Sequence, residues 1–277
     1  LFLADYHLHT YISHDGHETM EDMTQAAKRA GMSEICFTDH CDMADWHTFS
    51  RTDGDRDVPR QVIEDRDRLV REAEPGIEVR CGIELGEAHL YPELAAELSK
   101  TPGLDFIIGS LHMLREEGDF YVIDYTSQEQ CDRLIDEYFD QCAELAKLDF
   151  FDVFGHIGYF RRYMSRAGFD ARLDLSRWGD KITLLLKALI ANGRGIEVNT
   201  SGIREGLGTF PAEPIVSLYR RLGGEIVTVG SDAHYAENAG QDVIEGYRLL
   251  SRLGFQYVTV FRNRRPEFIK IQEDIIC

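Results

Sequence analysis

The sequence predicts an α/β fold: one barrel-like domain spanning residues 1–277. Three observations carry that expectation. Short runs rich in Ile, Val and Phe alternate with longer segments whose apolar residues recur every three or four positions. The short runs are almost continuously apolar, the pattern of parallel strands covered on both faces, and regular strand–helix alternation implies right-handed crossovers between them. No Pro/Ser linker, composition shift or charge block divides the chain.

The elements follow in order. LFLADYHLH opens the chain as a strand, not as a leader peptide. Thr19 then caps a helix with Asp22 in its first turn, and Gly31 ends it. EICFTDH is the second strand. A helix over 59–74 opens on Pro59 and sets Val62, Ile63, Arg66, Leu69, Val70 and Ala73 along one stripe. IEVRCGIEL and DFIIGSLH are the third and fourth strands. The helix over 129–147 lines up Leu134, Ile135, Tyr138, Phe139, Cys142 and Leu145. FDVFGHIG, RGIEVNTSG and EIVTVGSDAH follow as strands, with helical patterns over 181–192, 212–222 and 238–253, and FQYVTVF is a tail strand.

Composition narrows the function. Hydrophobic residues make up 43% of the chain, enough for a real core. No apolar run approaches the ~18 residues needed to cross a bilayer. The six cysteines form no C-x-x-C pair and several sit in apolar runs, so a reducing cytoplasm is expected. A net charge of −19 argues against a nucleic-acid polymer as partner, because that affinity comes from Lys and Arg. A small anion remains accessible where metal ions or a few arginines reverse the sign locally. Nothing in the sequence assigns an oligomeric state.

The histidines carry the chemistry. The stretch DYHLHTYISHDGH places four of the chain's ten within thirteen positions. His7 and His9 stand two apart at the end of the first strand and so share a face. His40 ends the second strand, Glu84 the third, His112 the fourth and His156 the fifth, while Asp232 and His234 end the seventh, again two apart. A lone histidine at a strand end is ordinarily a polar cap, but recurrence at six ends is not. In a parallel barrel these ends converge on one rim. With one more ligand from the first loop, Asp15, His14 or His17, the set suffices for two or three divalent metal ions. Imidazole and carboxylate without thiolate suit Zn²⁺, Mn²⁺ or Fe²⁺. Such a site favours an anionic substrate. His14, His17, His47 and His89 otherwise fall in loops off the pattern.

These residues resemble the polymerase-and-histidinol-phosphatase (PHP) family, whose signatures correspond to HLHT, FTDH, GSLHM and SDAH, with GIE and GH between them. The resemblance implies a distorted seven-stranded (β/α)7 barrel with a three-metal phosphoesterase site. It implies as ligands His7, His9, Asp15, His40, Glu84, His112, His156, Asp232 and His234, which selects Asp15 among the loop alternatives. The segments GIEVNTSGIR and FPAEPIV are most similar to the family's histidinol-phosphate phosphatases. That implies a small phosphorylated substrate, L-histidinol phosphate, hydrolysed to L-histidinol in histidine biosynthesis. Arg204 and one of Arg161 or Arg162 are expected to hold phosphate oxygens, and Asp232 or a neighbouring imidazole to manage protons. The substrate's cationic nitrogens would suit an acidic rim at Asp42, Glu116 or Glu117. The loop 41–58 is the candidate for substrate choice. Three rivals remain: a nucleotide phosphoesterase of the same family, an amidohydrolase, and a non-catalytic scaffold. The lysines, all on helices, turns or the tail, disfavour the amidohydrolase, and a complete ligand set disfavours the scaffold.

Overall fold

The computed structural model describes residues 1–45, 48, 50–52, 54–73, 75–272 and 275. In chain order the elements are β1 (Ala4–Leu8), α1 (Met20–Arg29), β2 (Glu34–Phe37), β3 (His40–Asp42), α2 (Val58–Ala73), β4 (Glu78–Gly86), α3 (Pro92–Leu98) and β5 (Phe106–Ser110). Then come β6 (Met113–Leu114), β7 (Gly118–Asp119), α4 (Gln128–Leu145), β8 (Val153–Phe154), α5 (Arg161–Arg166) and α6 (Leu175–Ala191). The chain continues through β9 (Gly195–Asn199), α7 (Glu213–Arg221), β10 (Val227–Gly230), α8 (Val243–Arg252), β11 (Tyr257–Arg262) and β12 (Arg265–Lys270).

Parallel strands run in the order β1-β2-β4-β5-β8-β9-β10, with β3 continuing the β2 stave along β4. The two ends of this path meet. Leu8 bridges Ala233 in parallel, Asp232 N donates to His7 O at 2.9 Å, and His9 N donates to Ala233 O at 2.9 Å. The seven expected staves therefore form a nearly closed α/β barrel, joined past the end of β10 by isolated bonds and not by a full ladder. Each expected run lies on its stave.

Local chemistry explains most helices. Thr19 Oγ1 accepts from Asp22 N at 3.1 Å, and Gly31 takes φ 85° where α1 must stop. The six apolar residues expected to line up on α4 are all buried. On α2 the stripe narrows: Val62 and Leu69 are buried, while Val70, one position round the helix, is exposed. α6 starts earlier than its apolar pattern, because Asp174 Oδ1 caps it from Ser176 N at 2.8 Å. α8 starts later than expected, after a short 3₁₀ turn and Gly240 at φ 75°. The short α3 and α5 gave no periodic signal to read. No helix of the described residues is long and apolar enough to cross a membrane.

The tail strand is one arm of an antiparallel hairpin, β11–β12, which turns through Asn263 and Arg264, both at positive φ as a two-residue turn requires. It closes the N-terminal mouth of the barrel. Val260 and Phe261 pack with Tyr6, Cys36, Phe106, Ile108 and Val153 in an interior core. Arg262 Nη2 meets Glu34 Oε2 at 2.6 Å, Arg264 Nε meets Asp152 Oδ2 at 2.5 Å, and Asp105 Oδ1 accepts from Asn263 N at 3.1 Å. The acidic groups at this end are thus matched by arginines or backbone N–H groups. The opposite mouth is different.

Candidate metal centre

Barrel geometry delivers the expected residues to the C-terminal mouth. β1 carries an irregularity between Asp5 and Leu8. In a regular strand Tyr6 and His7 would face opposite ways. Here the Tyr6 ring packs edge-on to Phe106 at 5.2 Å, deep in the barrel, while His7 also turns inward toward Glu84. A register break of this kind re-aims a side chain.

Glu84 on β4 is the centre of the array. Its Oε2 lies 3.0 Å from His40 Nδ1, 3.3 Å from His7 Nε2 and 3.6 Å from His9 Nε2. Its Oε1 lies 2.7 Å from His156 Nε2, 3.0 Å from His112 Nε2 and 2.6 Å from Ser110 Oγ. Asp232 Oδ1 approaches His9 Nε2 at 3.5 Å and His7 Nε2 and His234 Nδ1 at 3.7 Å. Asp15, half-exposed, comes within 3.2 Å of His234 Nε2 and 3.6 Å of His40 Nε2. All nine ligands implied by the resemblance meet here.

Two of the imidazoles have their tautomers fixed from behind. His7 Nδ1 lies 2.6 Å from Glu197 Oε1, and a carboxylate only accepts, so Nδ1 carries the hydrogen and Nε2 faces the site. His9 Nδ1 lies 3.0 Å from Ser13 Oγ, which donates to Asp39 Oδ1 at 2.8 Å and so accepts from His9. Buried carboxylates behind imidazoles orient ligands and raise their basicity. Glu197 Oε2 also accepts from His156 N at 2.7 Å. Sequence reasoning missed Glu197, Ser13 and Asp39. The signal for Glu197 was a carboxylate in the middle of an apolar strand.

The electrostatics are those of a site built around positive charge. Burial opposes ionisation of Glu84, but His112, His7 and His40 hold it well below the usual carboxylate range. Burial likewise opposes ionisation of Asp232, and His7 with its neighbours pulls it far down. Burial would deprotonate His40, yet Glu84 and Asp42 push it up to about 10. His7 and His112 are also raised well above normal, against burial, by facing carboxylates. His9 goes the other way, lowered by burial and by His234 and His40.

These residues fit divalent metal ions. His7 Nε2, His9 Nε2, His40 Nδ1, Glu84 Oε2 and His234 Nε2 are buried and lack hydrogen-bond partners. Three-residue groups with mutually close ligand atoms recur: His7, His9 and Asp232; His7, Glu84 and His156; His40, Glu84 and His112; His9, His40 and His234. Orphaned buried polar atoms are costly unless something pairs with them, and no arginine or lysine reaches Glu84 among the described residues. The donor set, nitrogen and oxygen without sulfur, suits Zn²⁺, Mn²⁺ or Fe²⁺.

The site forms one wall of a cavity of about 370 Å³, also lined by His14, Asp42, Glu87, Tyr159 and Arg162. Arg162 Nη2 donates to Ser201 Oγ at 2.7 Å and its Nε sits 2.6 Å from Glu205. Arg161 instead turns away: its guanidinium donates to Leu207 O at 2.9 Å and Thr209 O at 3.3 Å and does not line the cavity. Arg204 donates to Ser231 O at 3.1 Å and lines an adjoining recess with Asp15, Arg162, Asp232 and His234. Of the acidic rim candidates, Asp42 lines the cavity, whereas Glu116 and Glu117 are exposed and do not. Glu87, which sequence reasoning did not single out, is buried and pushed up to about 8, chiefly by burial and by Asp42 nearby. No lysine lines the cavity among the described residues. His17 stacks on Tyr235 at 4.4 Å, His89 bonds Gln141 at 3.1 Å, and His47 lies outside the described residues, as do three other positions of the 41–58 loop.

The chain is 26% identical over 269 residues to the histidinol-phosphatase of Lactococcus lactis, with 94% of this chain and 95% of that protein covered. It is 26% identical over 266 residues to a probable histidinol-phosphatase of Thermotoga maritima, covering 93% and 95%. Its fold is similar to the crystal structure of the L. lactis histidinol phosphate phosphatase complexed with Zn, L-histidinol and phosphate. The TM-score is 0.78 at 23% identity, over 96% of this chain and all of that one. A putative histidinol phosphatase from Listeria monocytogenes aligns with a TM-score of 0.72 at 19% identity, over 86% of this chain and 97% of that one. The sequence pattern of the PHP domain matches residues 5–201, well over half the chain, and the chain belongs to the PHP domain family.

Proposed function

We propose that residues 1–277 act as one metal-dependent phosphoesterase domain that hydrolyses a small phosphomonoester, L-histidinol phosphate, to L-histidinol and phosphate, a step of histidine biosynthesis. The observation that carries this reading is the convergence of His7, His9, His40, His112, His156 and His234 around Glu84 and Asp232, with unpartnered ligand atoms, on a cavity that also holds Arg162. Its support from relatives is the repeated histidinol-phosphatase name over nearly the full length of both chains.

When bound, divalent ions in such a site supply Lewis-acid charge for phosphoryl transfer and for activating water. His7, His9 and Asp232 would hold one, Glu84 with His112 and His156 another, and Asp15 with His40 and His234 a third. Glu84, with one oxygen toward each of two groups, ties them together. Glu197 and the Ser13–Asp39 pair keep His7 and His9 in the ligating tautomer. Arg162 and Arg204 would take non-bridging phosphate oxygens, where guanidinium forks bind two at once. Arg161 braces the 207–209 loop instead. Asp232, whose Oδ2 lies 3.3 Å from Asn199 Nδ2, stays ionised and is the carboxylate through which a proton from water can pass.

The acidic wall at Asp42 and Glu87 disfavours nucleotides and polynucleotides. The five described cysteines are unpaired, which supports a reducing, cytoplasmic setting. The test compares phosphate release from L-histidinol phosphate, mononucleotides and an activated aryl phosphate, after loading with Zn²⁺, Mn²⁺ or Fe²⁺. Preference for L-histidinol phosphate is expected. Preference for a mononucleotide would move the assignment elsewhere in the family.

A further inference from the structure

We propose that the cavity contains a receiving site for an organic cation, centred on Glu87, so that the leaving group of the substrate is an ammonium-bearing alcohol. The inference deepens the phosphatase reading and rests on it.

Glu87 follows β4 on the rim, is 0% exposed, and lines the cavity. Its Oε1 accepts from His112 N at 2.6 Å and Met113 N at 3.2 Å, so the carboxyl group is pinned. Its Oε2 is buried and has no hydrogen-bond partner. Among the described residues no arginine or lysine pairs with it. Glu87 also holds a left-handed backbone, φ 53°, a conformation that non-glycine residues keep mainly where the surroundings impose it. Asp42 groups with Glu87 and His112, its Oδ1 is likewise unpartnered, and Asp119 lines the same wall. Buried carboxylate oxygens without a hydrogen-bond partner are costly, and an entering cation that donates to them removes the cost.

The chemistry of the wall favours an organic cation over a further imidazole-ligated metal ion. His112 is the one nitrogen donor in the group, and its Nε2 is committed to the Glu84 and His156 side, at 3.0 and 3.3 Å. With Nε2 acting as ligand, Nδ1 carries the hydrogen and faces Asp42 Oδ1 at 3.6 Å. No imidazole lone pair is left for a cation beside Glu87. What remains is carboxylate oxygen plus the aromatic rings of Tyr121 and Tyr159, which line the same space. Carboxylates with aromatic faces are the surroundings that hold ammonium and imidazolium groups. Arg162 and the candidate metal ligands lie on the same cavity, whose volume of about 370 Å³ suits one small zwitterion.

The test uses Glu87→Gln, which retains an oxygen for the two backbone N–H groups but removes the charge. The ratio of kcat/KM for L-histidinol phosphate to that for phenyl phosphate, which carries no cation, should fall by about tenfold or more. Metal content should match the parent protein. An unchanged ratio overturns the proposal, and so does loss of one metal ion, which would mark a metal subsite. Calorimetric binding of L-histidinol, which has the cation and no phosphate, reads the subsite without turnover. Its Kd should rise by a similar factor, and an equal Kd overturns the proposal. If no phosphoester is hydrolysed but L-histidinol binding still depends on Glu87, the cation site stands and the phosphatase reading fails. Should Glu87→Gln not fold, Asp119→Asn on the β6–β7 hairpin gives the same two readouts, with a smaller drop of about threefold expected and no drop overturning the proposal.

Discussion

Replacing Glu197 by Gln should weaken metal binding without touching any residue that faces the ions. Glu197 is fully buried and both its oxygens accept: Oε1 from His7 Nδ1 at 2.6 Å, Oε2 from His156 N at 2.7 Å and Asn199 Nδ2 at 3.2 Å. A glutamine has one oxygen and one NH₂ group. With the oxygen toward His7, its NH₂ opposes the N–H of His156 and the amide of Asn199. With the amide flipped, NH₂ opposes His7 Nδ1, and His7 must move its hydrogen to Nε2, the atom that faces the site. Either way a buried polar group loses its partner, at a cost of about 1–3 kcal/mol. Carboxylates placed behind ligating histidines contribute roughly 10–100-fold in metal affinity. Chelator competition should therefore show at least one ion held about tenfold less tightly or worse. The metal-free variant should melt about 2–6 °C lower, at roughly 2 °C per kcal/mol for a chain of this size. Parental affinity together with a parental melting temperature would refute the tautomer argument.

Other outcomes follow from the same geometry. Gly230→Ala should disrupt the site, because its Cβ would lie 2.4 Å from His7 Cβ and 2.5 Å from Glu197 Oε1; a variant with full metal content would contradict the packing. Metal loading near pH 7.5 should release protons, since His40, pushed up to about 10, and the raised His7 and His112 must become neutral to ligate. Calorimetry in buffers of different ionisation enthalpy reads this, and no buffer dependence would count against it. In the metal-free protein the stabilisation from His40 is complete below pH 6.5 and fades as pH rises toward about 10. Denaturant melts across that window should show the decline. Arg262→Ala removes the two-pronged partner of buried Glu34, leaving it Tyr6 Oη and, at 3.7 Å, Arg80 Nε, and should cost about 2–3 kcal/mol, with metal content unchanged. Arg162→Ala should lower kcat/KM about 100-fold, whereas Arg161→Ala should act mainly on stability through the lost bonds to Leu207 and Thr209.

The staves and their charged tips were legible because two signals coincide in them. Apolar runs such as FDVFGHIG mark a buried parallel strand, and the polar residue that ends each run marks the rim. Periodicity alone places His7 and His9 on one face; it does not show that the chain must break register at Tyr6 and His7 to bring both a core ring and a ligand inward. The arginines were not separable in sequence. Arg161 and Arg162 are adjacent on α5, so one faces the cavity and the other the 207–209 loop, a matter of where the helix docks. The residues behind the ligands stayed hidden for a related reason. Ser13 and Asp39 look ordinary along the chain, Glu197 stands out only as a carboxylate within an apolar strand, and their role depends on contacts across up to 190 positions. The hairpin of β11 and β12 was half seen, since Asn263 and Arg264 lack the glycine that commonly announces such a turn.

Crystals grown with Mn²⁺ or Zn²⁺ and measured at the metal's absorption edge test the central claim most directly. The account calls for more than one anomalous peak per chain, lying between Glu84 and the imidazoles of His7, His9, His40, His112, His156 and His234. Well-ordered crystals with those side chains in place and no peak among them would contradict it.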